Sequence, residues 1–385
     1  MPVDDNFNEE IDSYLDDLDQ YKANTVLSDL NESKATLVEF PLNSTLPKQY
    51  KKSHLAIFSI HDQSPHEINL FTIMASKMQA EHWENGKTPK YEFQASELSS
   101  WLDIESRYIG STLKGPAQRL ASRHIGFASQ EDDGDFSFVP LFSKLEYKKK
   151  VLTMIPNPEL KNFMLDYSGG YGLINTFSSL KLTGKYSKRI YDFLSRFKTN
   201  GTILRPMKLD TLRRYFAIIN KDGVFTSGNT SLDKPAVFIS RCIEPAIIEI
   251  ANTFENEIFF FNGEAGHLGY TPIKEGNKSV GVKFHYQWIE NKVKMDDVTA
   301  RKTISDLEQQ RLVKNITLSI SQLELLSQAY LKIGQRETAV QLMKTVQEKN
   351  IAEQNQQSEE TFKDETQSLL DKIAKLKELN PDQKY

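Results

Sequence analysis

The chain has 385 residues, a formal net charge of −4 and 26% charged residues, which is the composition of a soluble globular protein long enough to bury more than one core. Its single cysteine, Cys242, excludes an intrachain disulfide and suits a reducing cytosol. No apolar run approaches the roughly 20 residues that a spanning helix needs, and the acidic N-terminus is no signal peptide, so a cytoplasmic location is expected.

Charge is unevenly spread. Residues 1–50 hold 11 acids against 3 lysines and read as an acidic, disordered arm, while residues 291–385 are near neutral, leaving about +4 for residues 51–290. A first unit, 51–179, opens with an expected strand at His54–Ile60. Ser64-Pro65-His66-Glu67 follows, a capping box with proline at the first helical position, and a helix to about Ala80 with Leu70, Phe71, Met74 and Met78 on one face. Further helices are expected at Ser96–Leu102 and Tyr108–Arg123, the latter interrupted or kinked by Pro116. On this third helix Leu113, Ala117 and Leu120 form the apolar face, with Arg107, Lys114 and Arg119 off it. Strands at Ile125–Phe127 and Phe136–Phe142 then form a hairpin around an acidic turn. Helix, helix, helix, hairpin is the winged-helix order.

A second unit, 180–290, repeats the order without repeating the sequence. Ile190, Phe193, Leu194 and Phe197 make a helical stripe, and Lys185, Lys188, Arg189 and Arg196 are expected on its polar side. A helix at Leu209–Phe216 shows Arg213 and Arg214. A polar loop with Asn229 and Thr230 leads to a third helix from Asp233 to Phe254 that carries Lys234 and Arg241 and is kinked at Pro245. Glu257–Phe261 and Ser279–Trp288 are expected to pair as a hairpin.

Ten cations against two aspartates stand between Lys181 and Arg214, about +8 in 34 residues, a density that attracts a phosphate backbone. Lys188 and Arg213 are expected to touch phosphates. Lys234 and Arg241, on the helix that would enter a major groove, could each read a base or bind the backbone. The loop before that helix, with Asn229 and Thr230, reads equally as a phosphate contact or a plain connection. Catalytic patterns are lacking. There is no phosphate-loop motif, the seven histidines stand apart without metal-ligand spacing, and Cys242 on an apolar face reads as core. Neither cofactor nor metal is expected. In the tail, Ile316, Ile320, Leu323, Leu326 and Tyr330 form one apolar stripe, continued by Ala339–Val346, and Leu369–Leu376 form another. They suit a self-packed helical unit or a partner-binding coiled coil.

Several segments resemble a known family. Leu182-Thr183-Gly184-Lys185-Tyr186-Ser187-Lys188-Arg189-Ile190-Tyr191 is similar to the junction motif of the two-winged-helix plasmid replication initiators, the Rep-3 superfamily. Leu209-Asp210-Thr211-Leu212-Arg213, Ile243-Glu244-Pro245-Ala246-Ile247-Ile248-Glu249-Ile250 and Val280–Phe284 resemble its later segments. The resemblance implies an α+β fold of tandem winged helices, no enzymatic activity and binding to repeated origin sites, called iterons. It implies origin opening, recruitment of a host initiator and replicative helicase, and a homodimer in equilibrium with a DNA-bound monomer in the bacterial cytoplasm. The second winged helix would be the main reader; the first would contact the neighbouring half-site and form the dimer. In place of the family's consecutive basic residues before the proline segment, only Arg241 stands in Val237–Arg241. A winged-helix repressor without initiator activity would share the fold, whereas an origin-nicking enzyme would need a histidine metal motif that is missing.

Overall fold

A computed structural model describes residues 36–39, 45–53, 56–57, 62–128, 136–168, 170–198, 204–220, 223–226, 230–254, 257–264, 266–289, 295–349 and 352. The acidic arm's first 35 residues, Asn229 and the Leu369–Leu376 stripe lie outside them. The chain divides into two compact units, Met1–Glu255 with Phe260–Tyr286, and Asn256–Phe259 with Gln287–Tyr385.

The larger unit contains the same module twice. The first begins with strands β1 (Thr36–Glu39) and β2 (Gln49–Ser53) and helix α1 (Pro65–Lys77). Strand β3 (Lys87–Gln94) runs into helix α2 (Ala95–Leu102), and helix α3 (Ile109–Ala121) follows. Then come strands β4 (His124–Ala128), β5 (Phe136–Pro140), β6 (Phe142–Lys148) and β7 (Val151–Pro156). Helix α4 (Lys161–Leu165), strand β8 (Tyr171–Asn175) and helix α5 (Thr176–Lys181) close the module. Helix α1 starts where the sequence placed it: the Glu67 carboxylate accepts from the Ser64 backbone N–H at 2.8 Å. Its apolar stripe, Leu70, Phe71, Ile73 and Met74, packs with Phe93, Leu98, Leu113, Leu120, Leu152 and Met154 in one core. Each such side chain contributes about 1.5–3 kcal/mol by leaving water.

The wing differs from the expectation. β4 and β5 do pair, His124 opposite Pro140, but as a separate two-stranded sheet. The hairpin beside the helix-turn-helix is β6–β7, in the order β1-β3-β7-β6, so the strand entering α2 lies beside the second strand of the wing. The apolar run Phe136–Phe142, read as one strand, is two, parted at Leu141, whose N–H is drawn to the Arg123 carbonyl at 3.0 Å. Within the expected strand His54–Ile60 the two described residues, Ala56 and Ile57, are helical, and a strand precedes them as β2, paired antiparallel with β8.

The second module has helix α6 (Lys185–Arg196), strand β9 (Met207–Lys208) and helix α7 (Leu209–Tyr215). Its third helix is continuous from α8 (Pro235–Phe238) through a π-helical turn (Ile239–Ile243) into α9 (Glu244–Thr253). The π turn stands directly before Pro245, where the missing N–H and the ring would otherwise clash with the carbonyl four residues back, so the expected kink is taken up as a widened turn. Strands β10 (Ile258–Phe260), β11 (Tyr270–Glu275), β12 (Lys278–Phe284) and β13 (Tyr286–Trp288) follow. Of the expected pairing of Glu257–Phe261 with Ser279–Trp288, β10 does pair with β13, but the wing hairpin is β11 with β12. The wing sheet runs β11-β12-β9, so here too the strand entering the second helix lies beside the second wing strand. The same order of entering strand, second wing strand and first wing strand beside three helices makes both modules winged helices, the first with β1 added at the edge.

Apart from the residues of β10 and β13 that it includes, the described part of the smaller unit is helical. Helix α10 (Asp297–Glu308) continues into a π turn, then come α11 (Ile320–Lys332) and a helix over residues 336–349. Leu307, Leu323, Leu326, Leu342, Met343 and Val346 are buried, whereas Ile316 is exposed. The Ser327 hydroxyl donates to the Ala339 carbonyl at 3.1 Å and Lys349 Nζ to the Leu318 carbonyl at 2.8 Å. Its described part therefore packs on itself. No helix among the described residues is long and apolar enough to cross a membrane.

Candidate nucleic-acid interface

Of the cations in the basic run, three are withdrawn from the surface. Lys188 is fully buried, and its ammonium donates to the Ser179 carbonyl. Arg189 is buried, donates to the carbonyls of Ile57 at 3.3 Å and Tyr215 at 2.5 Å, and lies over the Tyr215 ring at 4.1 Å. Arg213 is buried over the Phe238 ring; its Nε donates to the Leu232 carbonyl at 3.1 Å, its Nη2 to the Asp233 carbonyl at 2.7 Å and its Nη1 to Asp210 at 2.6 Å. The phosphate roles expected of Lys188, Arg189 and Arg213 are corrected accordingly. α6 is buried from Ser187 to Ser195 without a gap, because it packs between the two modules and has no wet face there. Arg213 holds the turn that starts the third helix, which makes it a positioning residue for Lys234.

Burial pushes the Lys188 ammonium down to about 7, against the pull of Asp192 and Glu249. His66, which feels Lys188, is also lowered, chiefly by burial. The unfolded chain then binds a proton that the native chain does not hold between pH 7 and the ordinary lysine value, so stability rises with pH across that window. Lys188→Met is expected to be more stable than wild type at neutral pH and to flatten that rise, which approaches about 1.4 kcal/mol per pH unit. Urea midpoints from pH 7 to 10 measure it; equal slopes in both proteins would refute it.

The remaining candidates divide by module. In the first, Lys114 is exposed on α3. Arg107 is exposed but paired with Glu105 at 2.7 Å, and Arg119 reaches buried Glu67 at 3.3 Å, beside Arg123 at 3.0 Å. Burial would raise the Glu67 carboxyl, but hydrogen bonds from Ser64 and Arg123 and the Arg123 charge hold it below the usual range. Lys185 pairs with Asp62 at 2.7 Å. Arg196 and Arg214 are half-buried, Arg196 lying against Gly170.

In the second module Thr230, Lys234 and Arg241 are exposed. The third helix presents Lys234, Ser240, Arg241, Pro245 and Ile248 to solvent and turns Phe238, Cys242, Ile243 and Ile247 into the core. Burial pushes the Cys242 thiol up to about 11, so it stays protonated at neutral pH and is core, not nucleophile. The carboxylate of Glu249 accepts from the N–H groups of Thr183 at 2.6 Å and Gly184 at 3.1 Å, and from the Ser187 hydroxyl, tying this helix to the start of α6. Between the start of the helix and the wing lies a cleft of about 910 Å³, lined by Lys208, Lys234, Lys274 and Lys278 against Asp210, Asp233 and Glu275. Lys274 and Lys278 escaped the sequence reading. Their signal was two lysines flanking Gly276-Asn277, a turn pair inside an alternating strand pattern. Among the described residues no group of three or more His, Cys, Asp or Glu is placed to hold a metal ion.

Comparison with curated proteins returns no match. Among solved structures, the chain is similar to one described as the crystal structure of Pi initiator protein in complex with iteron DNA, at 14% identity and a TM-score of 0.47, covering 64% of this chain and 100% of that one. The family model described as Initiator Replication protein, WH1, matches residues 49–195, which span β2 through α6. The residues that match this initiator model are those of the first winged helix and the junction helix.

Proposed function

We propose that the protein initiates plasmid replication by binding repeated sites in duplex DNA at an origin. One observation carries this reading: a first winged helix of initiator type is joined to a second whose exposed cations gather on the third helix and beside the wing. Third helices of this kind enter a major groove, while the cations around them neutralise phosphates. In this reading Lys234 and Arg241 face the bases, Thr230, Lys274 and Lys278 face the backbone, and Lys114 of the first module serves the neighbouring half-site. Binding then opens an adjacent segment, recruits the host initiator and helicase, and represses the protein's own gene, all without catalysis of its own. A homodimer would exchange with a DNA-bound monomer, and the helical unit after residue 290 is the candidate for host contact.

The test is protection from cleavage of the repeat-bearing DNA next to the gene, together with maintenance of a plasmid carrying that DNA. Protection of regularly spaced repeats and maintenance that depends on the protein are expected. Equal affinity for repeat and random duplex at matched salt would overturn the reading. Protection without maintenance would make the protein a repressor.

A further inference from the structure

The two wings end in different turns. In the second module Glu275 faces Lys278 across Gly276-Asn277, and the positive φ of 59° falls on the glycine. In the first, Lys148 faces Val151 across Lys149-Lys150, and both lysines adopt positive φ, 50° and 63°. A two-residue hairpin turn with both φ positive is the form that favours Asn-Gly, because any Cβ is crowded there and a long side chain gains nothing by it. Lys148, Lys149 and Lys150 are all exposed, and no ion pair involves them among the described residues. Their neighbours are compensated: Lys144 pairs with Glu146 at 3.0 Å, and Arg107 with Glu105. Three adjacent ammoniums on a disfavoured turn weaken the hairpin, so folding does not account for them.

The tip is held against the helix-turn-helix. The Lys150 carbonyl accepts from the N–H of Ala95, the first residue of α2, at 2.8 Å. The Tyr147 ring lies on Gly110 at the start of α3, so close that a Cβ there would stand 2.8 Å from the ring. The backbone of the tip is thus held beside the third helix that carries Lys114, and its three lysines extend from it into solvent.

We infer that Lys148, Lys149 and Lys150 form a second phosphate-binding site, through which the first wing grips the backbone of duplex DNA beyond the segment read by the second module. The inference rests on the DNA-binding reading above. It assigns the site to backbone and not to bases, because lysine is a point charge and a wing tip carries no helix into a groove.

The test is the double variant Lys149→Asn/Lys150→Gly in the full chain, which installs the residue pair the turn prefers. Folding and binding are expected to move in opposite directions. The melting temperature stays equal or rises, while affinity for duplex DNA falls on the order of tenfold at 0.15 M salt, equally for repeat and random sequence. The slope of log K against log salt should flatten by up to about 1.8, for two phosphates released. If wild type binds duplex and the variant binds with the same affinity and slope, the inference falls alone. A loss confined to repeat sequence would also overturn it, since that is base reading. If wild type binds no duplex, the proposed function falls and takes the inference with it.

Discussion

Asp192→Ala is expected to destabilise the protein by about 3–5 kcal/mol, the cost of leaving a buried charge without its partner. That is a large share of the roughly 5–15 kcal/mol by which a folded chain outweighs its unfolded ensemble. Asp192 lies on α6 and takes the ammonium of Lys52 on β2 at 2.5 Å, with the two side chains only 3% and 8% exposed. The Phe71 ring also lies 5.7 Å from the Lys52 ammonium, so the charge sits beside an apolar surface. Removing the carboxylate also strips Lys188 of the larger of the two charge interactions that favour its protonated form. The pair itself is not an optimised one. Asp192 Oδ1 has no hydrogen-bond partner among the described residues, so part of the desolvation cost goes unrecovered. Replacing both ends with apolar groups of similar size, Lys52→Met with Asp192→Leu, should therefore restore most of the loss. Urea unfolding followed by circular dichroism gives both values. A single-variant loss below about 1 kcal/mol would show that Lys52 finds water or another partner. Because the pair joins a strand of the first module to a helix of the second, DNA binding by Asp192→Ala should fall only with the folded fraction.

Local signals in the sequence carried the architecture. Ser64-Pro65-His66-Glu67 placed the start of α1 because a cap and its reciprocal carboxylate are four consecutive residues. The spacing of Ile190, Phe193 and Leu194 placed α6, and all three are buried. What failed was the assumption that a helix with one apolar stripe has a wet face opposite. α6 touches both modules, and its cations are satisfied by carbonyls at Ser179, Tyr215 and Ile57, distant in sequence and of no particular residue type. Carbonyl acceptors leave no mark on a sequence, so a lysine at full burial and one in solvent read alike. Arg213 fails for the same reason: its acceptors, Leu232 and Asp233, are backbone atoms of a loop about 20 residues on. The wings were misread at a subtler level. Alternation locates strands but not partners, and pairing choice between β4–β5 and β6–β7 is set by which hairpin can reach β3. The resemblance to the Rep-3 motifs around Lys188 and Arg189 thus marks the junction that sets two modules together, not a surface for DNA.

The exposed cations of the second module make the sharper functional prediction. The double variant Lys234→Ala/Arg241→Ala should keep its stability within about 0.5 kcal/mol per site, since both side chains are exposed and neither fills the core. The contact Arg241 makes, to the Ser231 hydroxyl at 3.5 Å, is too long to matter for folding. Binding should respond very differently. If both side chains reach base edges, each is worth about 1–3 kcal/mol of discrimination, so the pair removes about 2–6 kcal/mol from repeat binding alone. Affinity for random duplex would change little, and the preference for repeats would collapse. If both only touch phosphates, repeat and random affinity fall together and the salt slope flattens by about 1.8. Titrating both duplexes at two salt concentrations separates these cases for each residue. Arg213→Ala is the control that a charge count alone could not supply: it should lose stability first, by freeing the turn before Lys234, and lose binding as a consequence. Unchanged repeat affinity in the Lys234/Arg241 double variant would mean that this helix does not face DNA, and the second winged helix would lose its place as the main reader.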